Sequence, residues 1–262
     1  MELSEDQRDN GMLPLPRCTV FRALGASIVA SVVVSLAAAG CASAPAGTAQ
    51  VSALPSPVVD PEVVLANAAA RMSSISYTKF ALVHEVGSAS LASLGLLLTS
   101  VEGEVAMPDR FSLRMEATPI GQTAFVKIEI IFVDGRAYMR LLGRWGEIDP
   151  DTLPFDFSDL GQTLSGIINA MQAPSVVGTE QIGGVELVRV RAAVDSGDFL
   201  GLVTGASAGF PVELEVWIGR DDSLLYLARV AGQLFPDDQA DVVRLLTLRD
   251  IDVPVDIEAP AT

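Results

Sequence analysis

The sequence predicts an α+β fold: one long, curled antiparallel β-sheet, a half-barrel, with two or three helices packed on its concave face. Three observations carry this reading. Apolar and polar residues alternate over much of the chain after Tyr77, as strands with one buried face require. Tight-turn residues separate those runs, and helical spacing is confined to a stretch before the strands and a stretch among them.

The chain has 262 residues. Arg17 and Arg22 precede an apolar run over 23–39 that closes on Ala39-Gly40-Cys41, the layout of a secretory leader. The run falls short of the ~20 apolar residues that comfortably span a bilayer, though it is long for a leader, so an uncleaved anchor helix is the alternative. The segment from Ala38 to Cys41 resembles the bacterial lipobox, in which the cysteine receives diacylglycerol and becomes the new first residue; Ala38 stands where Leu is commonest. Residues 1–40 are therefore expected to be removed and Cys41 to be lipidated, with two or more acyl chains giving stable anchoring. Cys18 then leaves with the leader, no disulfide can form in the mature chain, and the domain must be held by its core.

Residues 42–59 are uncharged and rich in Ala, Ser, Pro and Gly, the composition of a flexible tether, and the folded domain is expected over 60–262. Asp60 and Pro61 signal a helix start. Val64, Leu65, Ala68, Ala69, Met72 and Ile75 continue at helical spacing, ending near Ser76. Strand alternation follows in Phe111, Leu113 and Met115, in Val126, Ile128, Ile130 and Phe132, and in Val212, Leu214, Val216 and Ile218. Asp134-Gly135, Gly183-Gly184 and Asp221-Asp222 punctuate strand pairs. A second helix is predicted with Ser158 as N-cap, an apolar stripe of Leu160, Leu164, Ile167, Ile168 and Met171, and Pro174 as its stop. Residues 195–209 read as a short helix or a loop. No internal repeat points to a solenoid or propeller.

Charge and chemistry exclude several functions. Of 17 basic and 33 acidic residues, three and four fall in the leader, which leaves 14 and 29 and a net charge of −15. Nucleic acid, which needs a basic face, is not an expected partner. The single histidine, His84, is expected on the polar face of a strand, and one histidine without free cysteine makes no ordinary zinc site. Asp149/Asp151, Asp221/Asp222 and Asp237/Asp238 sit in turn-like sequence, and Glu213/Glu215 lie on the outward side of a strand. The phosphate-binding loop motif is missing. The chain is not expected to be an enzyme or to carry a cofactor or metal.

Apolar residues are in excess over 86–101 and 199–210. Both are either ordinary core or the border of an apolar cavity for acyl chains, with Leu91, Leu94, Leu96, Phe199 and Leu202 at its portal. An enclosed space under about 300 Å³ would not house a lipid tail.

The ordered set of pieces resembles the LppX/LprG family of lipoproteins. It comprises Cys41; Ala70-Arg71-Met72-Ser73-Ser74; Val101-Glu102-Gly103-Glu104-Val105 with Pro108; Phe132 to Tyr138; Trp145 with Ile148-Asp149-Pro150; Val216-Trp217-Ile218-Gly219; and Val253 to Ile257 with Ala259-Pro260. The resemblance implies a half-barrel similar to the carriers LolA and LolB. It further implies binding of multi-acylated lipids or glycolipids, their movement between envelope layers, and for some members an efflux-type membrane transporter as partner. Localisation at the extracytoplasmic face of the cell membrane follows from the same likeness. By position, the cavity lining it implies is Phe111, Leu113, Met115, Val126, Ile128, Ile130, Phe132, Leu214, Val216 and Ile218. The alternative is a structural or interaction lipoprotein with a filled core.

Overall fold

The computed structural model describes residues 59–91, 95–153 and 155–261. The expected leader, Cys41, residues 42–58 and the portal candidate Leu94 lie outside the described residues.

Helix α1 (Pro61–Met72) starts where expected: the Asp60 carboxylate accepts from the Glu62 N–H at 3.0 Å, satisfying an otherwise orphaned donor. It ends at Met72, four residues before the expected Ser76. Ser73 and Ser74 turn their hydroxyls back onto the carbonyls of Ala70 (2.8 Å) and Arg71 (2.9 Å), which closes the last turn. Asp252 then captures the Ser76 N–H at 2.8 Å and Arg71 at 2.7 Å, so the C-terminal segment fixes the exit into the sheet.

The strands are β1 (Tyr77–Val86), β2 (Ala89–Leu91), β3 (Leu96–Ala106), β4 (Arg110–Pro119), β5 (Val126–Val133), β6 (Arg136–Leu141) and β7 (Arg144–Ile148), then β8 (Gln172–Ile182), β9 (Val185–Asp195), β10 (Pro211–Gly219), β11 (Leu225–Ala231) and β12 (Val243–Arg249). They form one open 12-stranded sheet in the order β7-β6-β5-β4-β3-β1-β12-β11-β10-β9-β8, with β2 attached to β3. All described pairings are antiparallel. Two meanders thus run outward from a central seam where the first and last strands meet. Asp134-Gly135 and Gly183-Gly184 turn β5 into β6 and β8 into β9 with positive φ at both residues, the geometry that matches strand twist.

Helix α2 (Leu160–Asn169) departs from expectation at both ends. Its cap position is Asp159, because Ser158 is already engaged: its N–H and hydroxyl both donate to Asp156 Oδ1, at 2.9 and 2.6 Å. It stops before Pro174, which lies in β8: the Ala170 and Met171 N–H groups turn to the carbonyls of Ile167 (3.2 Å) and Ile168 (3.3 Å), tightening the last turn, and Ala173 takes a positive φ. Residues 195–209 contain only a short 3-10 turn, Ser196–Phe199, held by reciprocal capping between Asp195 and Asp198. Two α-helices are present among the described residues. Within the leucine-rich stretch over 86–101, residues 89–91 and 96–101 are sheet, with Leu96 and Leu98 buried and Leu97 between them half-buried.

Both helices contribute to the same buried apolar cluster as the strands. They meet at Gly161, where a Cβ would stand 2.7 Å from the Met72 carbonyl oxygen. On the sheet's other face Glu215 is buried between Arg189 and Arg191 rather than solvated, although it lies on the outward side as expected. Among the described residues no helix is long and apolar enough to cross a membrane.

Candidate functional site: an apolar cavity with one polar end

The floor of the site is set by register. β1 and β12 pair Phe80 with Leu248, Leu82 with Leu246 and His84 with Arg244, and β10 and β11 pair Leu214 with Val230 and Val216 with Ala228. Side chains two apart share a face, so each strand presents a row to the same space. Leu160, Leu164, Ile167 and Ile168 of α2 form the roof, at the spacing that puts them on one side of a helix. A flank is made by two loop segments tied together through the Phe155–Val203 bridge and a 3.3 Å bond from the Asp156 N–H to the Leu202 carbonyl.

These surfaces enclose a cavity of about 110 Å³ whose lining is Phe, Leu, Ile, Val and Ala apart from His84 and Arg244. It is smaller than an apolar cavity of ~150 Å³ that stays dry and admits benzene. Such a space can solvate hydrocarbon and accept one polar group at its end, but at this size it does not hold an acyl chain.

Of the ten positions implied as lining, Leu214 and Val216 face the cavity. The other eight pack within the core or against it without bordering the space. Aromatic packing is the reason. Phe157 sits 5.1 Å from both Phe80 and Phe111, and Phe111 stacks on Phe132 at 5.3 Å, so rings occupy volume over β4 and β5 and the void lies over β1, β12, β11 and β10. Among the portal candidates, Leu91, Phe199 and Leu202 line the cavity, while Leu96 is buried in the core beside β4.

His84 corrects the expectation of a polar-face residue. It follows Phe80 and Leu82 at intervals of two and points inward. Its Nδ1 lies 3.1 Å from the Thr99 carbonyl oxygen, a contact that requires Nδ1 to donate, and its Nε2 is buried without a partner. Burial lowers its pKa, helped by the Arg244 charge and opposed by the Thr99 hydrogen bond and Asp238. The ring is therefore neutral at pH 7, with an acceptor lone pair on Nε2.

Arg244, 3% exposed, is paired with the buried Asp238 and also donates to the Gly232 carbonyl at 3.0 Å. Asp238 Oδ2 accepts in addition from the N–H groups of Leu234 (3.0 Å) and Phe235 (3.1 Å), while its Oδ1 is buried without a partner. The sequence pattern alone left Phe155, Phe157 and Arg244 unremarked and put His84 on the opposite face. Counting in twos from Phe80, and from Arg244 through Leu246 to Leu248, is the signal that identifies the last two.

The family model described as LppX_LprAFG lipoprotein matches residues 55–257. No curated protein matches the chain. Among solved structures, LprF from Mycobacterium bovis is similar with a TM-score of 0.61 at 17% identity, covering 78% of this chain and 99% of that one. LppX from Mycobacterium tuberculosis is similar with a TM-score of 0.50 at 16% identity, covering 76% and 100%. A LolA superfamily protein from Nitrosomonas europaea aligns over 77% and 96% at 10% identity, with a TM-score of 0.26.

Proposed function

The chain belongs to the LppX_LprAFG lipoprotein family, and from that premise we propose that it is an extracytoplasmic lipoprotein, anchored to the cell membrane through Cys41, that binds acylated lipids or glycolipids and carries them between envelope layers. Its leader is residues 1–40, its tether 41–59 and its carrier domain 60–262. The observation that carries this reading is the apolar cavity: a nearly unbroken hydrocarbon lining, roofed by a single helix and flanked by two loop segments, at the centre of the sheet. Burial of each methylene is worth about 0.8 kcal/mol, so even one long chain supplies ample affinity once space is made. At about 110 Å³ the cavity is too small for an acyl chain, so loading requires α2 and residues 199–203 to move off the floor. An efflux-type transporter is the partner the family suggests, and the acidic surface opposes nucleic acid.

The same small volume favours a second reading, a filled-core lipoprotein whose outer surface engages another envelope component. Organic extraction and mass spectrometry of the purified protein carrying Cys41→Ala separates the two. The carrier yields co-purified acyl lipid at near one per protein or takes up added diacylglycerol, phospholipid or glycolipid. A protein that emerges empty and refuses all three is a scaffold.

A further inference from the structure

We propose that His84 and Arg244 form a recognition site for the free hydroxyl of an acylated glycerol, whose chains lie along the apolar wall. The inference rests on the carrier reading and names the polar group that the cavity orients. Among the described residues, His84 and Arg244 are the only polar ones in the lining, and their cross-strand pairing places them side by side at one end of the β1–β12 seam. A site of this composition uses a few polar groups to fix which way an amphiphile enters.

The hydrogen-bonding inventory selects the hydroxyl. The Thr99 carbonyl fixes the proton of His84 on Nδ1, so Nε2 offers a lone pair and needs a donor. Arg244 is a pure donor whose charge is already met by Asp238. A hydroxyl donates once and accepts twice, and so serves both neighbours. A carboxylate or a fully ionised phosphate presents only acceptors to the His84 lone pair, and a phosphate that keeps one proton still brings a negative charge up to the Asp238 carboxylate beside the one cation. Nε2 is closed off from the present void, so contact comes with the widening that a chain requires. A buried acceptor without a partner is a liability that a bound ligand removes.

The test uses the full chain carrying Cys41→Ala and three probes with identical palmitoyl chains: diacylglycerol, its O-methyl ether, and phosphatidic acid. Diacylglycerol is expected to bind about ten-fold more tightly than either analogue, the scale of one buried hydrogen bond. His84→Phe should bring diacylglycerol down to the level of the ether while leaving the ether unchanged, and His84→Gln, which keeps an acceptor, should restore part of the preference. Equal binding of diacylglycerol and ether overturns the proposal, as does tighter binding of phosphatidic acid, and the carrier reading survives both. Discrimination that persists in His84→Phe also overturns it and assigns the polar end to a water. If none of the three lipids binds, the proposal is overturned, and co-purified lipid or uptake of glycolipid decides the carrier reading separately. Should His84→Phe fail to fold, the diacylglycerol-to-ether ratio of the parent protein decides alone.

Discussion

Glu215, buried, and His84, half-buried, are polar residues on opposite faces of one sheet, and they answer to pH in different ranges. Burial pushes the Glu215 carboxyl up, but hydrogen bonds and charges from Arg189 and Arg191 outweigh it and leave its pKa below the ordinary value of 4.5. Its stabilisation is therefore complete above about pH 4.5 and is lost as pH falls through the lower folded-state value. Both arginines keep partial access to solvent, with side chains 26% and 44% exposed, which moderates the loss on removing their partner. Glu215→Ala is expected to cost about 2 kcal/mol in urea unfolding at pH 7. His84 is held neutral, with its pKa below 6.5, so its contribution is full above pH 6.5 and declines as pH falls below that. Unfolding free energy measured from pH 7.5 to 5.5 should decrease in the parent protein and flatten in His84→Phe. An unchanged slope in the variant would place the titration elsewhere.

The helix pair is a tightly specified contact between elements. Gly161 lets the first turn of α2 lie against the end of α1, and a methyl group there would stand 2.7 Å from the Met72 carbonyl oxygen, a backbone atom that cannot step aside alone. Alanine favours helix by about 1 kcal/mol over glycine, yet Gly161→Ala is expected to lower stability by about 1–3 kcal/mol because it forces the helices apart. Thermal unfolding followed by circular dichroism checks this, and a raised Tm would show that the helices have room to separate. Elements set by local chemistry were legible: the Asp60 cap, the Asp134-Gly135 and Gly183-Gly184 turns, and the alternation of β4, β5 and β10. Elements set by competition were not. Ser158 carries the right hydroxyl for a cap, but Asp156 engages it first. Leu96-Leu97-Leu98 hides a strand because half-burial of the middle residue erases the polar beat that alternation depends on.

At the scale of the molecule, the decisive feature is the seam between β1 and β12, which joins residues about as far apart in the chain as the domain permits. No local pattern encodes that pairing. The inward faces of β4, β5 and β10 could be read from sequence, but where the void falls could not, because it depends on which strands meet at the seam and on where Phe155 and Phe157 deposit their rings. The outcome is a cavity that is apolar and central, covered by an α2 helix and loop segments far smaller than the sheet beneath them. On the carrier reading proposed above, the cover shifts while the antiparallel ladder below stays fixed. The direct measurement is a crystal structure of the protein with dipalmitoylglycerol bound. The account predicts both chains against Leu82, Leu214, Val216 and Leu246, α2 displaced, and the cavity grown from about 110 Å³ to well beyond about 300 Å³. Lipid seated on the outer face of the sheet, with the cavity unchanged and α2 in place, would contradict it.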